Sequence, residues 1–195
     1  MSAIGDAPVA FSRLDETTAE DWKRIEELDR PFMAATADRV LRHLECLREA
    51  QKSMSCDRYD HSLQTATRAF RDGQDEEMIV AALFHDIGDV LAPHDHGALA
   101  ADILKPFVAS KTEWLLRHHP VFQGYYFFDK IGQDRHARER YRGHPAFELT
   151  AMFCEKYDQV AFDPHYESMP IQEFEPMVRR LFALPPWERN PRARE

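Results

Sequence analysis

A strongly apolar segment that ends in an adjacent histidine and aspartate constrains the fold of this 195-residue chain more than any other feature. Residues 79–84 read Ile-Val-Ala-Ala-Leu-Phe, and His85 and Asp86 follow directly. An apolar run of this kind belongs in a protein interior, where a charged group is costly unless it is paired or binds a metal. The sequence therefore predicts that a bound cation compensates this buried pair.

Helical periodicity dominates the rest of the chain and predicts an all-α fold. Glycine is sparse, with 7 residues, and alternation of β-branched residues is nearly absent. Thr18 with Asp21 and Ser110 with Glu113 have the spacing of capping boxes, and Pro31 suits the first turn of a second helix. The predicted helices cover residues 18–30, 31–50, 57–72, 76–87, 96–108, 111–119 with an end at Pro120, 134–140, 145–161 and 171–183.

The length and composition indicate a single domain. Hydrophobic residues make up 44% of the chain and charged residues 30%, which is typical of a globular protein with a sizeable core. We expect a helical bundle over residues 16–184, a peripheral segment over residues 1–15, and an irregular tail over residues 185–195.

The charge balance and the cysteines limit the partners and the compartment. Acidic residues outnumber basic ones by 34 to 25, which argues against nucleic acid because phosphate binding needs a basic face. The odd count of 3 cysteines, without a CxxC pair, argues against a disulfide framework. Neither a secretory signal nor an apolar run long enough to span a membrane is visible. We expect a cytoplasmic protein that acts on a small molecule, without nucleic acid or membrane as a partner.

Histidines and aspartates recur at helix ends or once per helix, as in metal sites built inside helical bundles. The candidate ligands are His61, His85, Asp86, His96, His118, His119 and Asp158. Imidazole and carboxylate without thiolate suit iron, manganese or zinc. The other histidines are interpreted as ordinary hydrogen-bonded residues: His43, His94, His136, His144 and His165.

The order of these residues resembles the HD-domain superfamily, over about residues 55–160. The spacing of 24 residues from His61 to His85-Asp86 is typical of that superfamily. The additional histidines between this pair and Asp158 resemble the mixed-valent diiron oxygenases of the superfamily, which include myo-inositol oxygenase and bacterial oxygenases that cleave 1-hydroxyphosphonates. The small size of the chain favours the phosphonate branch. The resemblance implies a helical HD-domain bundle.

The resemblance also implies two iron ions, one ferrous and one ferric, with O₂ as co-substrate. The resemblance implies that one iron is bound by His61, His85 and Asp158. It implies that the other iron is bound by His96 and His119, and that Asp86 bridges the two. His94 is a weaker rival of His96, which is preferred because it begins an apolar helix.

Three residues beside these ligands are candidates for catalysis. His118 competes with His119 for the ligand position, and the segment Arg-His-His-Pro favours His119 through the resemblance. Gln123 is a candidate polar contact for the substrate. Asp89 is a candidate general base, or alternatively a residue that binds backbone amides after Gly88.

An aromatic stretch follows the last candidate histidine and is either buried structure or the wall of a substrate cage. Five aromatic residues fall within seven positions: Phe122, Tyr125, Tyr126, Phe127 and Phe128. The predicted substrate contacts are Tyr125, Tyr126 and Asp89 for a cationic tail, and, among the basic residues, Lys105, Arg135 and Arg142 for an anionic group. Such a pocket suits 1-hydroxy-2-aminoethylphosphonate or its trimethylated relative, whose oxidative C–P cleavage gives glycine or glycine betaine and phosphate.

Two other functions use the same residues. A metal-dependent phosphohydrolase acting on a nucleotide or phosphoester would employ the ions as Lewis acids, with Asp89 as a base. A regulatory domain would bind a partner through its helices. The segment before His61 also lacks the Tyr-x-x-Glu that some phosphonate oxygenases use as a lid, so either the lid or the substrate differs.

Overall fold

The computed structural model describes residues 7–49 and 53–184, and this part of the chain contains helices and no strand. The all-α prediction is therefore confirmed. The α-helices are α1 (Ala19–Ala34), α2 (Thr36–Glu45), α3 (Arg58–Arg71), α4 (Glu76–Phe84), α5 (His96–Leu104), α6 (Ser110–Gln123), α7 (Phe147–Phe153) and α8 (Ile171–Phe182). The 3-10 turns are Leu14–Glu16, Cys46–Glu49, Gly124–Tyr126, Phe128–Ile131 and Ala137–Tyr141, and Cys154–Asp158 is a π-helical turn. The predicted tail at 185–195 lies outside the described residues.

Helix α4 lies at the centre of the bundle. All of its residues after Glu76 are buried, and Leu83 and Phe84 have no exposed surface. It packs against α3 and α8, while α5 packs mainly against α6. The apolar run that the sequence placed in the interior is thus confirmed as the core helix, and its end carries His85 and Asp86 into the middle of the fold.

Helix starts that depend on nearby residues agree with the sequence. Thr18 and Asp21 form the predicted capping box at the start of α1. The carboxylate of Asp75 accepts the backbone N–H of Met78 at 2.9 Å and caps α4. These contacts span three residues, so the local sequence is sufficient to specify them.

The start of α6 differs from the prediction, because Ala109 rather than Ser110 is the N-cap and no capping box forms with Glu113. The oxygen Oε1 of Glu77, on α4, accepts the backbone N–H of Ala109 at 3.0 Å and the hydroxyl of Thr112 at 2.6 Å. A buried carboxylate from another helix therefore satisfies the first turn of α6.

Two prolines also lie inside helices that they were expected to begin or end. Pro31 falls within α1, which continues to Ala34, and Pro120 falls within α6, which continues to Gln123. At Pro120, close packing of α5 supports the helix: a Cβ atom on Gly97 would lie 3.0 Å from the proline ring and 2.8 Å from the carbonyl oxygen of Leu116. Glycine is required there because the two helices approach so closely.

The later part of the chain is less regular than predicted. The helix expected at 134–140 is the 3-10 turn Ala137–Tyr141, and the one expected at 145–161 is α7 followed by the π-helical turn.

Within the described part of the chain, no helix combines the length and apolar character that crossing a membrane requires. The three cysteines are free.

Candidate metal centre

Six of the candidate ligands converge at one place in the core. They are His61 from α3, His85 and Asp86 from the turn after α4, His96 from the start of α5, His119 from α6, and Asp158 from the π-helical turn. All are buried except His96, which is partly exposed. In the described residues, three groups of three potential ligand atoms lie within 4.8 Å of one another, and together they comprise these six side chains.

Every histidine of the cluster has an oxygen close to its Nδ1 atom. Hydrogen-bond acceptors are the carbonyl oxygens of Ala161 for His61 at 3.0 Å, of Ala82 for His85 at 2.8 Å and of Leu116 for His119 at 2.7 Å, while a carboxylate oxygen of Asp89 lies 3.1 Å from Nδ1 of His96 in an ion pair. A carbonyl oxygen can only accept a hydrogen bond, so Nδ1 donates and the Nε2 lone pair faces the centre. Metal-ligating histidines are held in this way.

The Nε2 atoms lie in two close pairs. The two nitrogens of a pair cannot hydrogen-bond to each other while both are unprotonated. The Nε2 atoms of His61 and His85 are 3.0 Å apart, and those of His96 and His119 are 3.2 Å apart. Two bare lone pairs at this distance repel, so a proton or a cation must lie with each pair. The donor set therefore fits a metal centre.

Asp86 lies between the two histidine pairs. Its Oδ2 atom is 3.5 Å from Nε2 of His61 and 3.4 Å from Nε2 of His85. Its Oδ1 atom is 3.2 Å from Nε2 of both His96 and His119. One carboxylate oxygen thus faces each pair, so Asp86 could bind a cation held by either pair.

Asp158 joins the first pair. Its Oδ1 atom is 3.3 Å from Nε2 of His61 and 3.7 Å from Nε2 of His85. Its Oδ2 atom is buried without a hydrogen-bond partner among the described residues. A buried, unpaired carboxylate oxygen is costly, and a coordinated cation would satisfy it. The distances place Asp86 between the two histidine pairs and Asp158 beside the pair of His61 and His85.

The close contacts within the cluster shift the pKa values of its histidines and aspartates. Burial lowers the pKa of His85, but the charge of Asp86 and the hydrogen bond with Asp158 outweigh it and raise that pKa to about 9. Burial raises the pKa of Asp86, but the charge of His85 and hydrogen bonds from His119 and His96 bring it well below its ordinary value. Burial lowers the pKa of His119. Metal binding at His85 therefore competes with a proton.

The structure brings His119, and not His118, into the cluster. The His118 ring stacks on Trp114 with ring centroids 4.1 Å apart, and its Nδ1 atom lies 2.9 Å from the carbonyl oxygen of Trp114. His144 stacks on Trp114 as well, also at 4.1 Å. His118 is therefore part of a half-buried aromatic stack away from the ligands. The rival His94 lies exposed beside His96.

Asp89 and Gln123 both contact ligands of the cluster. One carboxylate oxygen of Asp89 lies 3.1 Å from Nδ1 of His96 in an ion pair, and its other oxygen lies 2.9 Å from Nε of Arg58. Gln123 donates its Nε2 amide hydrogen to Oδ1 of Asp158 at 2.6 Å. Burial and the charge of Asp86 raise the pKa of Asp89. Both residues orient ligands, and Gln123 also faces a cavity.

A cavity of about 980 Å³ opens beside this cluster. Its aromatic and apolar wall includes Val121, Tyr126, Phe127, Phe128, Ile131 and Phe162, and its polar lining includes His96, Gln123, Arg58, Arg117 and Lys130. Such a cleft, mostly apolar with a few convergent polar groups, is typical of a small-molecule site.

Most of the predicted substrate contacts lie away from this cavity. Tyr126 lines it, but Lys105, Arg135, Arg142 and Tyr125 are not among its lining residues. Three of these residues have other contacts or positions. Arg135 lies over the Tyr125 ring at 4.5 Å, Arg142 is hydrogen-bonded to Glu139, and Lys105 follows the end of α5. Phe122, from the same aromatic stretch, is core.

Arg58 is the site residue that sequence reasoning missed. It lines the cavity and contacts both Asp86 and Asp89. The sequence does contain a signal for its position. Arg58 lies three residues before His61, and residues three apart share a helix face, so both side chains point toward the same side of α3.

Comparison with known proteins identifies the class. The HD domain family model matches residues 58–159, just over half of the chain, so this chain belongs to the HD domain family. It is also 27% identical over 151 residues to a protein of Leisingera caerulea named [1-hydroxy-2-(trimethylamino)ethyl]phosphonate dioxygenase (glycine-betaine-forming), covering 63% of this chain and 77% of that relative. Family membership and the buried histidine–aspartate cluster together support a metal-dependent HD-domain enzyme.

Proposed function

We propose that this protein is a diiron oxygenase that uses O₂ to cleave the C–P bond of a small 1-hydroxyphosphonate. The substrates that we propose are 1-hydroxy-2-aminoethylphosphonate and its trimethylammonio analogue, which would give glycine or glycine betaine and phosphate. The observation that carries the proposal is the placement of Asp86, whose two oxygens each face one pair of imidazole Nε2 atoms.

The donor set supports two irons. Four imidazoles and two carboxylates, one of them between the pairs, form a nitrogen and oxygen environment that suits iron and leaves coordination positions for substrate and O₂. When bound, a mixed-valent iron pair supplies a Lewis acid for the substrate's hydroxyl oxygen and an electron for O₂. The name of the relative from Leisingera caerulea supports the same chemistry.

The residues of this chain would bind and orient the substrate in the cavity. Gln123 is fixed by its hydrogen bond to Asp158 and lines the cavity, so it holds the ligand and borders the substrate at the same time. The rings of Tyr126, Phe127 and Phe162 form an apolar wall that excludes water. Aromatic faces also attract a trimethylammonium group, by roughly 0.5–2 kcal/mol for each contact.

The reaction balances without an external reductant, and this makes the proposal testable. A 1-hydroxyphosphonate and one O₂ contain the atoms of one carboxylic acid and one phosphate. Protein loaded with ferrous iron under argon and then exposed to O₂ should consume one O₂ for each phosphate released, and after this partial oxidation electron paramagnetic resonance should detect a coupled mixed-valent iron pair. An Asp86→Asn protein should be inactive in both readouts. Phosphate release that proceeds equally well without O₂ would contradict the proposal.

The size of the cavity favours a second candidate, hydrolysis of a phosphoester. A cavity of about 980 Å³ is larger than a two-carbon phosphonate needs, and Arg58, Arg117 and Lys130 along it would suit a nucleotide. The same metal ligands would serve, because paired ions can activate a water. Anaerobic hydrolysis of nucleotides by manganese-loaded protein, without O₂ consumption on hydroxyphosphonates, would favour this function.

A further inference from the structure

Arg58 lines the cavity and contacts Asp86, the carboxylate between the two histidine pairs. It is the first residue of α3, and its Nη1 and Nε atoms lie 3.3 Å from Oδ2 of Asp86 and 2.9 Å from Oδ2 of Asp89. Its side chain is 18% exposed, so the guanidinium is shielded from bulk water but reaches the cavity.

The two contacts leave the Nη2 atom of the guanidinium available. Nε and Nη1 face carboxylates, and Nη2 has no hydrogen-bond partner within the described residues. Two anions hold the planar group, so little side-chain entropy is lost when Nη2 binds a further oxyanion. Guanidinium N–H groups donate strong, charge-assisted hydrogen bonds to phosphonate and phosphate oxygens.

The cavity is also lined by Arg117 and Lys130, which form no ion pair with a residue of the metal cluster in the part of the chain that the structure describes. Arg117 contacts Asp102 at 2.5 Å and Glu113 at 2.9 Å, neither of which belongs to the metal cluster. Lys130 is exposed to solvent. Among the cations of the described cavity wall, Arg58 alone is bonded to the carboxylate between the histidine pairs.

Metal loading would reverse the charge around Arg58. With His85 neutral, as metal binding requires, the carboxylates of Asp86, Asp89 and Asp158 outnumber the guanidinium of Arg58 and leave two formal negative charges. Two divalent cations more than cancel this, so the loaded site would carry excess positive charge in a largely buried place. Bound cations are commonly the largest local charges in a site, and an anion would then be needed for balance.

We propose that Arg58, together with the metal pair, forms the binding site for the oxyanion head of the substrate. Its Nη2 hydrogens donate to a phosphonate or phosphate oxygen, while Nε and Nη1 remain on Asp89 and Asp86. This inference rests on the proposed function only for the presence of the metals, and it assigns the recognition of a tetrahedral oxyanion to a residue of this chain.

The test is anaerobic calorimetric titration of the ferrous-loaded full chain, without turnover. Methylphosphonate and inorganic phosphate are titrated separately, which distinguishes a phosphonate site from a free-phosphate site. Arg58→Gln removes the cation, Arg58→Lys keeps the charge without the planar fork, and Arg117→Gln is the matched control on the same cavity. Metal content is measured on every sample.

We expect Arg58→Gln to hold two ions and to bind methylphosphonate at least about tenfold more weakly than the wild type. Arg58→Lys should show an intermediate loss, and Arg117→Gln a change below about threefold. The proposal is overturned if Arg58→Gln binds both anions as the wild type does, or if Arg117→Gln loses as much affinity. It is also overturned if Arg58→Gln folds but holds fewer than two ions, since the role would then be structural. Because no O₂ is used, failure of the oxygenase assay would leave this result intact.

Discussion

Replacing Asp86, the proposed bridging ligand, tests the proposed metal centre most directly. Asp86→Asn keeps the shape of the side chain but removes its charge and replaces one acceptor oxygen by a donor amide. Asp86 is 2% exposed and faces all four imidazole Nε2 atoms of the cluster. The substitution should therefore affect both ions, because each would lose its shared anionic ligand.

The effect on the metal-free protein can be estimated from the His85–Asp86 pair. The Nε2 atom of His85 is 3.4 Å from Oδ2 of Asp86, and both residues are buried. Removing one partner of a buried ion pair costs about 3–5 kcal/mol. In a chain of this size, about 1 kcal/mol corresponds to roughly 2–4 °C, so the melting temperature at neutral pH should fall by roughly 10 °C.

The assay combines metal analysis after anaerobic iron loading with thermal unfolding followed by circular dichroism. Asp89→Asn is the matched control, because Asp89 holds His96 but does not face the other histidines. We expect Asp86→Asn to lose both ions, and Asp89→Asn to keep the ion of the His61–His85 pair with about 10–100-fold weaker binding at the other. An Asp86→Asn protein that holds two ions and melts with the wild type would refute the bridging role.

Three further predictions follow from the site and the fold. His119→Ala should lose an ion and His118→Ala should keep both, since only His119 reaches the cluster; equal metal contents in anaerobic elemental analysis would contradict this. Because the folded-state pKa of His85 is raised to about 9, its stabilisation of the metal-free protein is fully present below pH 6.5 and is lost as the pH rises through 9. In thermal unfolding with chelator, the free energy of unfolding should therefore fall by about 3 kcal/mol between pH 6.5 and 9, while that of metal-loaded protein should change little. The same pH dependence with and without metal would count against the raised pKa of His85. Glu77→Ala should lower unfolding stability in urea by about 2 kcal/mol, because the first turn of α6 loses its acceptor; an unchanged midpoint would show that the contact contributes nothing.

The candidate ligands could be selected from the sequence because histidine and aspartate are unusual at the end of an apolar run. An apolar run that ends in His85 and Asp86 has few stable solutions, and the burial of both side chains follows from it. The choice between His118 and His119 could not be made from spacing alone. Neighbouring residues point about 100° apart on a helix, so the choice depends on how α6 packs on its neighbours.

The cation beside the site could not be chosen from sequence for a related reason. Lys105, Arg135 and Arg142 are plausible by type, but the cavity wall contains Arg58, Arg117 and Lys130. A basic side chain is long and can keep its charged end in water from many positions. Its residue type therefore carries little information about its location. Its carboxylate partners decide where it lies, and for Arg58 these are 28 and 31 positions away in the chain.

The sequence by itself determined the helical class, the local caps of α1 and α4, and the burial of the histidine–aspartate pair. Each of these depends on contacts within one or two helical turns, or on the free energy of hydrating an apolar run. The tertiary structure alone decided that Glu77 caps α6, that His119 turns inward, and that Arg58 joins the centre. These contacts join separate elements, and their energies exist only after those elements have packed.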